Sequence, residues 1–178
     1  MKIFKLFFAA TIIAGFSTVL NAQEASDEIT ASATIMQFVS IDDTEDLVFG
    51  NVIISDASTH QVNNDEDGAG RFDINTNTEL VLNFNLPENL AGTTGLAGQT
   101  NANLPISFSA TDARLHNGTE DDVNVDPNSA ISVTNGSNGE FIPGQFSVFI
   151  GGSLSPDDNQ ESGDYEGTIT LSIDYAGV

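Results

Sequence analysis

The chain has no cysteine and no tryptophan, and among its 178 residues only four are lysine or arginine and two are histidine. Each shortage removes some chemistry. Without cysteine there is no disulfide, no thiolate metal or redox centre and no lipidated N-terminal cysteine, so packing alone must hold the fold. Without tryptophan, and with only Tyr165 and Tyr175 as tyrosines, platforms for stacking sugar rings are few. That weighs against glycosidase and carbohydrate-binding readings, although paired carboxylates are available. His60 and His116 stand apart in polar stretches with no His-Glu-x-x-His spacing, whereas a zinc site takes three or four N, S or O ligands. No Gly-x-Ser-x-Gly elbow accompanies the many serines, so a nucleophilic hydrolase is not signalled. The shortage of cations leaves a net charge of −22 against 26 acids. Such a surface repels nucleic acid and anionic headgroups, keeps a protein soluble, and attracts divalent cations or basic partners.

Long apolar runs are missing too, with one exception. Met1–Lys5 carries two lysines, and Leu6 to about Leu20 is apolar but interrupted by Thr11, Gly15, Ser17 and Thr18. This is short of the ~20 clean apolar residues of a spanning helix. With the small residue Ala22 behind it, the stretch reads as a secretory signal peptide, residues 1–22, cleaved to leave 23–178. Cleavage would remove Lys2 and Lys5 and leave Arg71 and Arg114 as the only basic side chains besides histidine. No second apolar segment follows, so no membrane span is expected in the mature chain. Export to the periplasm, the cell surface or the medium is expected.

What is present is alternation. In the closing stretch Gly163–Tyr175, residues Tyr165, Gly167, Ile169, Leu171, Ile173 and Tyr175 share one parity, and Glu166, Thr168, Thr170, Ser172 and Asp174 share the other. Period two marks a strand with one buried and one wet face. On that basis the stretch is expected to be the central strand, with Gly167 marking a close approach by a neighbour or a bulge. Further strands are expected over Ile29–Ile41 (bending near Gln37), Leu47–Ile54 (broken at Gly50), Arg71–Asn75, Leu80–Pro87, Leu104–Ala110, Ala130–Thr134 and Gln145–Leu154. Asp42–Asp46, Glu88–Asn103 and Thr111–Asn128 read as turns or loops. A hairpin through Pro156–Asn159 would join the last two long strands. The expected fold is all-β: an antiparallel immunoglobulin-like or Greek-key β-sandwich of about 8–10 strands in one domain, 23–178.

One local pattern suggests a ligand. Asn63-x-Asp65-x-Asp67-Gly68 matches the first half of a calcium loop, in which alternate oxygens converge on the ion and glycine permits the turn. The second half fails, because position twelve is Ile74 rather than a bidentate glutamate. Asn63, Asp65 and Asp67 are therefore the only metal-ligand candidates, calcium is the only cofactor left open, and an acidic turn is the competing reading. Asn117-Gly-Thr119 and Asn135-Gly-Ser137 fit the glycosylation pattern and are read as turns.

Ala33–Ile35, Asp46–Gly50, Gly151–Leu154 and Gly163-x-Tyr165-x-Gly167-Thr168 leading to Tyr175 together resemble a bacterial family of exported β-sandwich proteins, the domain-of-unknown-function 4402 family. The chain departs from that pattern after Gly50, with Ser55–Thr59 in place of a Gly-Thr-Val-like stretch, and in its Asp- and Asn-rich middle. The resemblance implies export and a sandwich, assigns no catalytic residue, and carries a likeness to pilin subunits. Ile29–Ile35 would then be either the first strand of its own sandwich or a donor to the next subunit. The expected function is non-enzymatic: a secreted or cell-surface structural protein, in pilin-like or adhesive form, whose partners are itself or other surface subunits. The alternative is an acidic-loop binding module for calcium, a glycan or a basic protein.

Overall fold

Alternating apolar side chains build strands here, and acidic and asparagine-rich stretches punctuate them. The computed structural model describes residues 31–53, 59–93, 96, 99, 101–117, 122–133 and 144–176. Residues 1–30, which hold the expected signal peptide, lie outside them, as do both Asn135–Ser137 and most of Asn117–Thr119. The chain divides into two compact units, Met1–Ile35 and Met36–Val178. In the first, residues 31–35 form no strand and are exposed.

The second unit holds thirteen strands and no helix among the described residues. They are β1 (Val39–Glu45), β2 (His60–Val62), β3 (Gly70–Thr76), β4 (Leu80–Asn85), β5 (Asn89–Gly92), β6 (Asn103–Ser107), β7 (Ala113–His116), β8 (Val123–Val125), β9 (Ile131–Val133), β10 (Gly144–Ile150), β11 (Gly152–Leu154), β12 (Tyr165–Glu166) and β13 (Thr170–Tyr175). All pairings are antiparallel. The order is β1-β3-β10-β7-β8 in one sheet, β13-β4-β9 in a second and β12-β5-β6-β11-β2 in a third.

The main core joins the first two sheets face to face. Ile74, Phe146, Val148, Ala113 and Leu115 come from the five-stranded side, and Leu80, Leu82, Ile131, Val133 and Leu171 from the three-stranded side. Ile74, Leu80, Leu82 and Val148 are fully buried, and Phe72 meets Phe84 edge-on at 6.1 Å across the layers. Each such side chain contributes about 1.5–3 kcal/mol of gross burial. The third sheet has a smaller core of Leu104, Ile106 and Leu154, covered in part by Phe49, Val52 and Tyr165.

The all-β antiparallel architecture is the one expected, with more and shorter strands than the expected 8–10. Several details differ, each for a physical reason. Of the expected Ile29–Ile41 strand, residues 31–38 form none; the first strand among the described residues begins at Val39 and runs on through Asp42–Glu45, because a bulge between Ile41 and Asp43 absorbs the acidic run and Arg71 pairs with Glu45 at 2.8 Å. Residues 46–53 form no strand. Gly50 turns there with φ 68°, and Phe49 and Val52 drop onto the third sheet instead. The segments read as loops contain β5, β7 and β8, whose strand character comes from pairing rather than composition.

The run Gln145–Leu154 is two strands in two sheets, hinged at Gly151. A Cβ there would strike the Val62 carbonyl oxygen and lie 2.9 Å from backbone atoms of Asn63 and Asn64. The close approach lets the chain bend, and the Gly151 N–H donates to Asp112 O at 2.7 Å. The hairpin through Pro156–Asn159 does not form: β13 pairs with β4, while β10 lies between β3 and β7. The closing stretch is not one central strand: Tyr165–Glu166 is β12 at the edge of the third sheet, residues 167–169 form no strand, and β13 is an edge of the three-stranded sheet, whose centre is β4. The parity of β13 is as expected, with Leu171 buried and Ile173 half-buried.

Candidate functional site

The Asn63–Asp67 stretch is the turn between β2 and β3. Asn63, Asp65 and Asp67 are all exposed. The Glu66 carboxylate closes the turn by accepting from Asn63 Nδ2 at 2.6 Å and from the Asn63 N–H at 3.2 Å. Asn64, between the candidate ligands, is buried and donates to Thr111 O at 2.8 Å. Glu66, which sequence reasoning passed over, thus engages Asn63, and Asn64 anchors the turn to the loop before β7. Among the described residues no group of three or more His, Cys, Asp or Glu side chains is arranged to hold a metal ion.

The two histidines are not brought together, since His60 is on β2 of the third sheet and His116 on β7 of the first. His116 belongs to a cluster with Arg114 and Asp122. Its Nδ1 lies 2.5 Å from Asp122 Oδ1, and Arg114 forms an ion pair with Asp122 Oδ2. The guanidinium sits 4.4 Å from the Phe149 ring centre and donates to Asn64 O through Nε and Nη2. Partial burial raises the Asp122 carboxyl, but hydrogen bonds from His116 and Arg114 and the Arg114 charge outweigh it and hold the group below its ordinary value. The cluster extends a transverse row on the outer face, in which Phe149 is in register with Arg71 on one side and Arg114 on the other. In this cluster Asp122 is tied to both His116 and Arg114, and Arg114 also reaches back to the Asn64 carbonyl.

The buried polar groups also knit loops. Asp112 accepts from the Ser109 N–H at 2.8 Å and from Ser109 Oγ at 2.6 Å. Thr76 Oγ1 donates to Phe38 O at 3.0 Å. Gln160 Nε2 donates to Asn101 O at 2.6 Å and to Tyr165 Oη at 2.7 Å, so the tyrosine of the Gly-x-Tyr-x-Gly motif fastens the acidic turn before β12. A groove of about 1230 Å³ runs between residues 44–52 and 160–169, floored by Leu90, Leu104 and Leu154 and rimmed by acids including Glu45, Asp46 and Glu161.

The remaining feature is apolar and exposed. Ile35 (94%), Met36 (75%), Phe38, Ile41, Val48, Ile53 (67%) and Tyr175 are the large hydrophobic side chains most open to solvent among the described residues. Six of these seven come from residues 35–53. Sequence reasoning missed this, because it read Ile29–Ile41 as a first strand with Ile35 on the same parity as Ile29, Ala31 and Ala33.

A family model described as domain of unknown function (DUF4402) matches residues 39–175. The chain belongs to the DUF4402 family. The match runs from the first residue of β1 to the last residue of β13, so the DUF4402 domain is the strand assembly itself, and residues 31–38 precede it. No curated protein matches the chain. No helix among the described residues is long and apolar enough to cross a membrane.

Proposed function

We propose that this DUF4402 protein is an exported, non-enzymatic structural subunit of a secreted or cell-surface assembly, pilin-like or adhesive in character. The observation that carries this reading is the concentration of exposed large apolar side chains in residues 35–53 and at Tyr175. Isolated exposed apolar residues are ordinary, and it is their number within this one stretch that supports a contact with another protein. The reading is supported by the way the ionisable clusters are spent on strand-to-strand ties, and by the signal-peptide pattern of residues 1–22.

The test is sedimentation of the purified 23–178 chain across a concentration series, paired with immunogold microscopy of native cells. Concentration-dependent assembly and surface labelling are expected. A chain that stays monomeric at the highest soluble concentration, and labels only the cell interior, overturns the proposal.

A second reading is favoured by the acid-rimmed groove, which suits a basic protein partner. Its mark is binding to a basic peptide that weakens steeply with salt and is lost when Glu45, Asp46 and Glu161 are neutralised together.

A further inference from the structure

The small core of the third sheet, Leu104, Ile106 and Leu154, is packed by side chains that themselves stay partly open, among them Phe49, Val52, Leu90 and Tyr165. The two segments beside it are irregular. Residues 46–53 form no strand and turn at Gly50, where φ is 68°, and residues 167–169 form no strand either. Both segments line the groove of about 1230 Å³. That volume exceeds the ~300–1,000 Å³ of clefts that enclose a small molecule, so the groove has room for a length of polypeptide.

Its lining divides by chemistry. Val48 is 57% exposed, and Phe49, Val52, Leu90, Tyr165 and Ile169 are half-buried, so apolar surface is open along the groove. Five exposed carboxylates line it as well, Glu45, Asp46, Glu161, Asp164 and Glu166, and no lysine, arginine or histidine does. Arg71 engages Glu45 at 2.8 Å, while the other four have no ion pair among the described residues. Gln160, in the same wall, has the same bias. It is 7% exposed, its Nε2 is spent on Asn101 O and Tyr165 Oη, and its Oε1 meets no donor among the described residues. The carboxylates and this amide oxygen all accept, whereas lysine and arginine side chains only donate. The lining therefore complements such side chains in charge and in hydrogen bonding.

Other occupants fit less well. A second copy of the chain brings the same surplus of acid, with Arg71 and Arg114 already engaged by its own carboxylates, and is repelled. An uncharged apolar segment would cover carboxylates without pairing them, at a cost in desolvation. A wholly polar cation would leave the open apolar surface in water and gain nothing from it.

We propose that the groove binds a cationic amphipathic peptide segment, whose apolar side chains lie against Val48, Phe49 and Leu90 while its lysines or arginines reach the carboxylates of Asp46, Glu161 and Asp164. This rests on the basic-partner reading for the charge and adds the apolar half of the ligand. In such a contact the charges speed and orient the approach, and the apolar side chains set how long the segment stays.

The test is titration calorimetry of the 23–178 chain with two probes, a peptide of alternating lysine and leucine and an oligolysine of the same charge. The alternating peptide is expected to bind on the order of tenfold more tightly than the oligolysine, and to weaken as salt is raised. Three variants locate the contact, each checked for an unchanged far-ultraviolet spectrum and melting temperature. Asp46→Asn with Glu161→Gln and Asp164→Asn removes groove charge and is expected to lower affinity for both probes on the order of tenfold. Asp42→Asn with Asp65→Asn and Asp67→Asn removes the same charge from exposed positions outside the groove and is expected to leave affinity nearly unchanged. Val48→Ser, at an exposed position, is expected to weaken the alternating peptide several-fold and the oligolysine not at all. If the oligolysine binds as tightly as the alternating peptide, or Val48→Ser changes neither, the amphipathic ligand is overturned and the basic-partner reading stands. Equal losses in the two charge variants place binding on the whole acidic surface and overturn the groove as its site. Binding of neither probe overturns both the inference and the reading it rests on.

Discussion

Gly151 is the hinge on which β10 of one sheet becomes β11 of another, and replacing it with alanine measures how rigid that hinge is. The added methyl would be pressed against the carbonyl oxygen of Val62 and would stand 2.9 Å from the Asn63 carbonyl carbon and from the Asn64 nitrogen. All three are backbone atoms, so no side chain can rotate away. The strands must move apart, at a cost typical of overpacking, about 1–3 kcal/mol. The 2.7 Å bond from Gly151 N–H to Asp112 O is lost or weakened as well, adding roughly 1 kcal/mol. The sum is about 2–4 kcal/mol, which for a domain of this size lowers the melting temperature by about 10 °C. The matched control is Gly50→Ala. Gly50 has φ 68°, but an added Cβ would meet nothing within 4 Å. Its cost is the left-handed conformation alone, ~1–2 kcal/mol, partly offset by ~0.4–1 kcal/mol from the stiffer unfolded chain. Thermal melts followed by circular dichroism compare the two. If Gly50→Ala destabilises as much as Gly151→Ala, the hinge tolerates a side chain and the packing argument is wrong.

Three further outcomes are expected. Leu171→Asp places a carboxylate in the main core and prevents folding, whereas Thr170→Asp, on the exposed face of the same strand, leaves the melting curve within about 0.5 kcal/mol; equal effects would refute the assigned faces. Because the folded Asp122 carboxyl lies below its ordinary 3.8, its contribution is complete above that value and is lost as pH falls through the lower folded value. Asp122→Asn should therefore cost up to ~1 kcal/mol near neutrality and nothing at the acid end, and a difference that grows on acidification would reverse the sign of the argument. Calcium tests the Asn63, Asp65 and Asp67 candidates. The Glu66 carboxylate is occupied within the turn, so millimolar calcium is expected to leave the melting temperature unchanged, and a rise abolished by changing Asp65 and Asp67 to asparagine would establish the site.

The faces of the longer strands were legible in the sequence because alternation is a local property. Leu80 and Leu82, Leu104 and Ile106, and Phe146, Val148 and Ile150 are all buried as their parity requires. The close approach inferred at Gly167 is there too: a Cβ would lie 2.6 Å from Leu90 Cδ2. Neighbours were not legible. β13 pairs with β4 across some ninety residues, and nothing in either stretch names the other, so the closing strand's place at an edge could not be read from its pattern. Short strands such as β7, with Arg114 and His116 on its outer face, lack the apolar signature and exist because β10 and β8 flank them. Parity also reports only which way a side chain points and not whether anything covers it: Ile41 is in register with the buried Ile74 and is itself exposed. The ligand-like spacing at Asn63–Asp67 says nothing of the intervening residues, and it is Glu66 and Asn64 that make the turn's contacts.

The transverse row on the outer face has a consequence for how the protein responds to its solvent. Arg71 and Arg114, the only cations outside residues 1–22 apart from the histidines, flank the same phenylalanine, Phe149, and face Glu45, Asp43 and Asp73 on one side and Asp122 on the other. Their charge is spent within a few ångströms, where salt screens little, and the other acids are left to repel one another over distances comparable to the Debye length, about 8 Å at physiological ionic strength. Added salt damps that repulsion more than it weakens the short pairs. The fold therefore tightens in brine and loosens in dilute water, the opposite of a protein held together by surface ion pairs.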